Sequence, residues 1–382
     1  MLFSEILGQE HIKSHLTKSA DAGRIPHAQL FIGPEGSGTL PMAIAYAQYV
    51  LCSNVSGENT SGNAACNLKF EHFSHPDLHF VFPVSTNSDV KSHPVSAHFI
   101  KHWREFITET PYAGLFDWYK KIDIQNKQGQ IGVDEAQEIM KSLSLKAYEG
   151  GYKVMIIWMA DKMNTATANK LLKLLEEPPE KTVFILIAES EDDILQTILS
   201  RCQLLNFSGL SEKVICNALT SRHGIDERTA RKTAHQAQGN FNKALQLLNK
   251  DEDGHPFEEW FVQWVRAAFR AKGNASAIHD LISWSEGIAG IGREAQKQFL
   301  HFCIDMFRQA LMLNYSAKEL VFMEPTVEKF KLENFAPFVN GNNINDIFKE
   351  LSDALYHIER NGNAKIILTD LSIKLTRLIH KK

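Results

Sequence analysis

Val154-Met-Ile-Ile-Trp158-Met159 and Thr182-Val-Phe-Ile-Leu-Ile-Ala188 are short apolar runs rich in β-branched residues. Runs of this kind read as strands buried on both faces of a sheet. Between them Asn164 is placed to cap a helix whose Ala168, Leu171, Leu172 and Leu175 share one face, and Pro178-Pro179 stops it. A strand, a helix and a strand with no hairpin turn predict parallel pairing and an α/β domain. Upstream, Ala28-Gln-Leu-Phe-Ile-Gly33 reads as another strand, running into a glycine loop and a helix over 39–51.

That loop, Gly33-Pro-Glu-Gly36-Ser-Gly38-Thr39-Leu40, sits where a phosphate-binding loop belongs. The working pattern is G-x-x-x-x-G-K-[ST], and both end glycines are present. Thr39 stands at the lysine position and Leu40 at the hydroxyl position. No side chain is then supplied for the β/γ-phosphates, and no hydroxyl for Mg²⁺. An active ATPase of this kind also carries acidic residues at the end of a core strand, where this chain has Trp158 and Met159. Asp161 belongs by register to the following loop or helix start. The loop and the strand end thus predict a dead nucleotide site and no nucleotide cofactor.

With 382 residues, the chain is expected to hold two or three domains at roughly 150 residues each. It is 44% hydrophobic and 23% charged, a globular composition. Its net charge of −4 argues against a basic nucleic-acid wrapper, without excluding a local basic face. Five scattered cysteines are too few for a disulfide scaffold. Met1-Leu-Phe-Ser-Glu5 lacks the basic start of a secretory signal, and the apolar run over 154–160 is far short of a membrane span. A cytoplasmic protein of a reducing compartment, with no membrane partner, is expected.

After Phe207 the strand signal ends. Helices are expected over 211–219 and 226–238, with Asp226 as an N-cap and Gly239 as a stop, followed by a short helix after Asn240. From Asp251 on the pattern is purely helical, with aromatic stripes such as Phe257, Trp260, Phe261 and Trp264 that read as core. The expected division is an α/β core over 1–207, a small helical lid over 208–250 and an all-α domain over 251–382. One segment of the core, about 80–130, reads as an insertion. Its Trp103, Phe106, Tyr112, Phe116, Trp118 and Tyr119 form either a flap folded onto its own domain or a partner-binding patch.

The run Asn169-Lys-Leu-Leu-Lys-Leu-Leu-Glu176-Glu177-Pro178-Pro179, followed by Ser200-Arg201-Cys202, resembles the clamp-loader branch of the AAA+ proteins. Gly8-Gln9-Glu10, Pro26-His27-Ala28 and Gly239-Asn-Phe-Asn-Lys243-Ala244-Leu245 add to the resemblance, which covers roughly the whole chain in order, weakly in the insertion and only in architecture after residue 250.

The resemblance implies an AAA+ core, a helical lid and a helical collar that joins a five-membered ring with gamma/tau-type and delta-type subunits. Such a ring opens a sliding clamp and loads it on primed DNA. One ring position is typically ATP-inactive yet lends an arginine finger to the adjacent ATP site, and Arg201 matches that finger. The bland alternative is an internal ion pair. Lys243 matches the position called sensor 2, and with an inactive loop a structural role is expected for it. Members often bind zinc through four cysteines after the loop helix. Here only Cys52 and Cys66 remain, with His72 and His75 as possible completing ligands, against a reading as two ordinary thiols.

Overall fold

The computed structural model describes residues 1–52, 64–148, 151–248, 256–272, 274–323, 325 and 327–381. Five strands form one parallel sheet: β1 (Ala28–Ile32), β2 (Leu78–Val81), β3 (Lys153–Ile157), β4 (Thr182–Ala188) and β5 (Gln203–Asn206), in the order β2-β3-β4-β1-β5. The strand with the glycine loop therefore lies inside the sheet, with Leu30 opposite Leu186 on one side and Leu204 on the other. Every residue of β3 and β4 is buried. Pleating sends Leu30, Met155, Phe184 and Leu186 into one core and Phe31, Ile156 and Ile185 into another.

Both cores are covered by helices. Thr39–Cys52 is apolar almost all round because it is buried almost all round, and its Tyr46 is fully inaccessible. On the opposite face, helix Thr165–Glu176 begins at Asn164, whose side chain accepts from Thr167 N at 2.8 Å. It buries Ala168, Leu171 and Leu175, while Leu172 is only half-buried. The edge strands β2 and β5 are four residues each, and β5 is largely exposed. Neither is announced by an apolar run.

The aromatic segment is part of the core. Val84 and Gln130 exchange two backbone hydrogen bonds at its base, 3.2 and 3.0 Å long. Between them lie helices Ile100–Glu109 and Leu115–Lys121. All six aromatics are at most 8% exposed, and Trp103 and Trp118 are sealed completely. The partner-patch reading of these side chains is thereby corrected. Trp103 stacks on Phe82 at 4.2 Å, Trp118 meets the same ring edge-on at 5.0 Å, and Trp118 donates its indole N–H to Pro83 O. The segment also contributes strand residues Phe80 and Val81.

Three helices follow the sheet: Glu212–His223, Glu227–Ala237 and Phe241–Leu248. Ser211 and Asp226 cap the first two. Gly239 is required by its backbone: its φ is +86°, and a methyl there would lie 3.1 Å from the Cα of Gly209. These helices pack through small residues, Ala218, Ala230, Ala234 and Ala237, and share a core with Leu7 and Tyr112. Sheet and small helices form one compact unit, Met1–Ile124 with Gly129–Leu248.

The second unit comprises Gln125–Gln128 and Asn249–Lys382. The boundary expected at 250/251 lies outside the described residues. Helices Phe257–Arg270, Ala275–Ala289, Arg293–Asn314, Ile344–Glu359 and Ala364–Leu378 enclose Phe261, Trp264, Phe299, Phe307, Leu351 and Leu371. Trp264 stacks on Trp284 at 5.0 Å and donates to Ser372 Oγ at 2.9 Å. Among the described residues no helix is long and apolar enough to cross a membrane.

Candidate functional site

The glycine loop leaves β1 at Ile32 and enters helix Thr39–Cys52. Gly36 and Gly38 take φ values of +73° and +95°, so the loop has the backbone freedom that a phosphate cradle needs. Its side chains do not follow suit. Leu40 is 3% exposed and belongs to the core under the sheet, so an apolar contact replaces the hydroxyl. Gln9 donates to Ser37 O at 3.1 Å and Ser208 O at 2.7 Å, which pins the loop to the chain around it.

The space over the loop is occupied by the chain itself. Tyr112 lies against Gly38, where a methyl would meet its Cε1 at 3.1 Å. Its hydroxyl accepts from Leu7 N at 2.8 Å, and burial pushes the phenol up to about 12. Pro111, Tyr112 and Ala113 face Trp158, Met159 and Ile187 across a cavity of about 20 Å³. That is room for about one water.

Trp158, where a nucleotide-hydrolysing site would carry an acid, is 2% exposed and packs on Trp103 and Phe106 at 5.1 and 6.0 Å. Met159 turns the chain out of the strand with φ +53°. Asp161 sits in the short helix Ala160–Lys162, paired with Lys162 at 2.8 Å, and does not line the space over the loop.

The small helical domain closes the remaining side. A methyl on Gly36 would strike Asn240 Oδ1, and Phe241 N donates to Gly36 O at 3.3 Å. Asn242 bridges two carboxylates, donating to Glu35 Oε1 at 2.9 Å and Asp117 Oδ2 at 2.8 Å. Burial pushes the Glu35 carboxyl up; the charge of Asp117 adds to this, while Asn242, Asn240 and the charge of Lys243 oppose it. Lys243 also donates its backbone N–H to Asn240 Oδ1 at 2.9 Å. Sequence reasoning singled out the glycines, Thr39, Leu40, Trp158, Met159 and Lys243. It missed Glu35, Asp117 and Asn242, and it left Tyr112 among the aromatics, because only the fold brings them to the loop.

Arg201 lies elsewhere. It follows helix Gln196–Leu199 and precedes β5, so it stands at the N-terminal end of a strand parallel to β1. The glycine loop stands at the C-terminal end of β1. A strand of four residues at about 3.3 Å each separates the two by roughly 13 Å. Arg201 Nε donates to Glu176 Oε1 at 2.8 Å, and Nη2 bonds the same oxygen. Nη1 donates to Thr197 O at 2.8 Å and Ser200 Oγ at 3.1 Å. The side chain keeps 33% of its surface exposed. Neighbouring Cys202 is half-buried, and its thiol is pushed up to about 11.

Cys52 and Cys66, the weak zinc candidates, are joined to each other in a disulfide. This corrects the reading of two separate thiols, and sulfur atoms bonded in this way are not thiolate ligands. His75 is buried and its Nδ1 accepts from Asp77 N at 3.1 Å. Among the described residues no three His, Cys, Asp or Glu side chains gather as a metal cluster.

A parallel sheet in this order, a loop of phosphate-binding form after an interior strand, and a helical lid over that loop make the first unit an AAA+ core. The chain belongs to the family described as DNA polymerase III, delta subunit, whose model matches residues 8–211. It is 30% identical to DNA polymerase III subunit delta' of Bacillus subtilis, over 64% of this chain and 60% of that one. With DNA polymerase III subunit delta' of Haemophilus influenzae it shares 28% identity, over 57% of this chain and 53% of the relative. DNA polymerase III subunit tau of Bacillus subtilis is 25% identical over 65% of this chain and 37% of its own length.

Proposed function

We propose that this chain is a delta-prime-type subunit of a DNA polymerase III clamp loader in the bacterial cytoplasm. In this reading it does not hydrolyse ATP and makes no nucleotide bonds itself. It joins gamma/tau-type and delta-type subunits in a ring that loads a sliding clamp on primed DNA, and it offers Arg201 to a neighbour's ATP site.

The observation that carries this is the separation of two features across one sheet. The chain's own loop is covered by Tyr112 and lined by Leu40 and Trp158, so Arg201, at the opposite end of the strands, has no phosphate of its own to serve. A planar guanidinium presented to a transferring phosphoryl group is worth about 10³ to 10⁵ in rate in other systems. Similarity to a tau subunit supports a second reading, an ATP-hydrolysing motor. Thr39 and Leu40 weigh against it.

The test has two arms. Calorimetry on the isolated chain should detect no Mg²⁺-dependent ATP binding; micromolar binding weakened by altering Gly38 would favour the motor. In a ring reconstituted with the other subunits, Arg201→Ala should depress clamp- and DNA-stimulated ATP hydrolysis while assembly is unchanged. A wild-type rate would remove the finger assignment.

A further inference from the structure

We infer that the second unit carries a docking groove for an acidic polypeptide segment of a partner protein, anchored by a bulky apolar side chain. The groove is about 520 Å³, the size of a site for one or two large side chains. Its floor is made by Phe269 of helix Phe257–Arg270 together with Phe330, Phe335 and Phe338. Phe269 and Phe338 remain 44% and 36% exposed and lie together in one groove, an apolar surface open to a partner.

Charge decides what kind of chain fits. Arg266, Lys329 and Lys331 line the rim and are exposed, and among the described residues none of the three forms an ion pair. Arg270 also lines the groove and is paired with Asp280 at 3.3 Å. The rim is held in shape by Arg266, which donates to Lys329 O at 2.9 Å. Glu328 and Glu333 are exposed nearby in sequence, but neither lines the groove. In a protein of net charge −4, three unpaired cations around an apolar floor make a local field that attracts carboxylates and repels basic segments.

A single-stranded nucleic acid would also welcome cations, but it needs open aromatic faces for its bases to stack on. Here the Phe269 face is taken by His380, stacked at 4.9 Å and 24°, and Phe338 meets its ring edge-on at 4.8 Å. What remains is a concave apolar space, which suits a leucine or phenylalanine side chain better than a stacked base. This inference does not depend on the state of the glycine loop or on Arg201.

The test uses the full chain and fluorescence anisotropy. The probe is a short fluorescein-labelled peptide with a central Leu-Phe pair flanked by Asp and Glu. Its controls carry Ala in place of the pair, or Lys in place of the acids, and oligo(dT) is a fourth probe. The acidic, anchored peptide should bind saturably and at least about tenfold more tightly than the other three.

Lys329→Glu with Lys331→Glu, both at exposed positions, should reverse the preference so that the Lys-flanked peptide binds better. Asn334→Trp, which fills the groove, should abolish binding of either peptide, with circular dichroism confirming the fold of each variant. Equal binding of the Ala control, tighter binding of oligo(dT), or indifference to the double charge reversal would each overturn the proposal. So would concentration-dependent self-association lost in the same double variant, since that would make a second copy of this chain the occupant.

Discussion

The ring of Tyr112 lies against the α-carbon of Gly38, close enough that a methyl on that glycine would come within 3.1 Å of it. A residue from the middle of an aromatic segment thus packs on the glycine loop and lines the space beside it. Its hydroxyl also satisfies the buried N–H of Leu7. Tyr112→Phe keeps the ring and strands that donor, which should lower stability by about 1–3 kcal/mol in urea titrations. An unchanged midpoint would show that water replaces the hydroxyl.

Restoring the loop's motif should not restore its chemistry. Thr39→Lys with Leu40→Thr supplies the missing ammonium and hydroxyl, but it leaves Tyr112 in place and Trp158 buried against Trp103. The double variant should lose about 1–3 kcal/mol, because Leu40 is a core residue replaced by a polar one. It should still show no ATP hydrolysis in a phosphate-release assay. Turnover in this variant would mean that the aromatic cover opens readily.

Arg201 and Glu176 form a second testable pair. Within a reconstituted ring, Arg201→Lys should fail to rescue the loss caused by Arg201→Ala, because an ammonium cannot reproduce the planar fork. Glu176→Gln removes the anion that holds the guanidinium at home. It should change the stability of the isolated chain by no more than about 1 kcal/mol, as befits a partly exposed ion pair. It should also lower the ATP concentration needed for half-maximal ring activity. A raised requirement would assign Glu176 to positioning the arginine for its neighbour.

Glu135 predicts a pH dependence of folding. It is 3% exposed, its carboxylate accepts from Ser96 N at 2.7 Å, and burial, with Glu138 nearby, pushes it up to about 7 from an ordinary 4.5. Between these values the folded chain keeps a proton that the unfolded chain has lost. Stability from this group is therefore full below about pH 4.5, falls as pH rises, and levels off above about pH 7. The loss is of the order of 3 kcal/mol. Glu135→Gln keeps an acceptor for Ser96 and should flatten this slope in denaturant titrations at pH 5, 6, 7 and 8; an unaltered slope would show that Glu135 is not its source.

The Cys52–Cys66 bond closes a loop with a sequence separation of 14. Cross-links over loops of this length contribute about 3 kcal/mol by restricting the unfolded chain. Reduction by dithiothreitol, or Cys52→Ser with Cys66→Ser, should lower the thermal midpoint by several degrees, as seen by calorimetry. No change would indicate that the denatured chain is already constrained near these residues.

The interior strands, the caps at Asn164 and Asp226, the glycine loop and the helical character beyond residue 256 were all legible in the sequence. Each depends on neighbours a few residues away: an apolar run, a carboxylate or amide before a helix, a turn that only glycine enters easily. The mismatches at Thr39, Leu40, Trp158 and Met159 were legible for the same reason, since a motif is a local spacing. What covers the loop was not. Tyr112, Asp117 and Asn242 reach Glu35 and Gly38 from elements up to two hundred residues away. The edge strands β2 and β5 were equally silent, because an edge strand is made by pairing to a neighbour and needs no apolar run of its own. The opposition of Arg201 to its own loop likewise follows from parallel pairing of β1 and β5, a long-range fact that sets which end of the sheet each residue occupies.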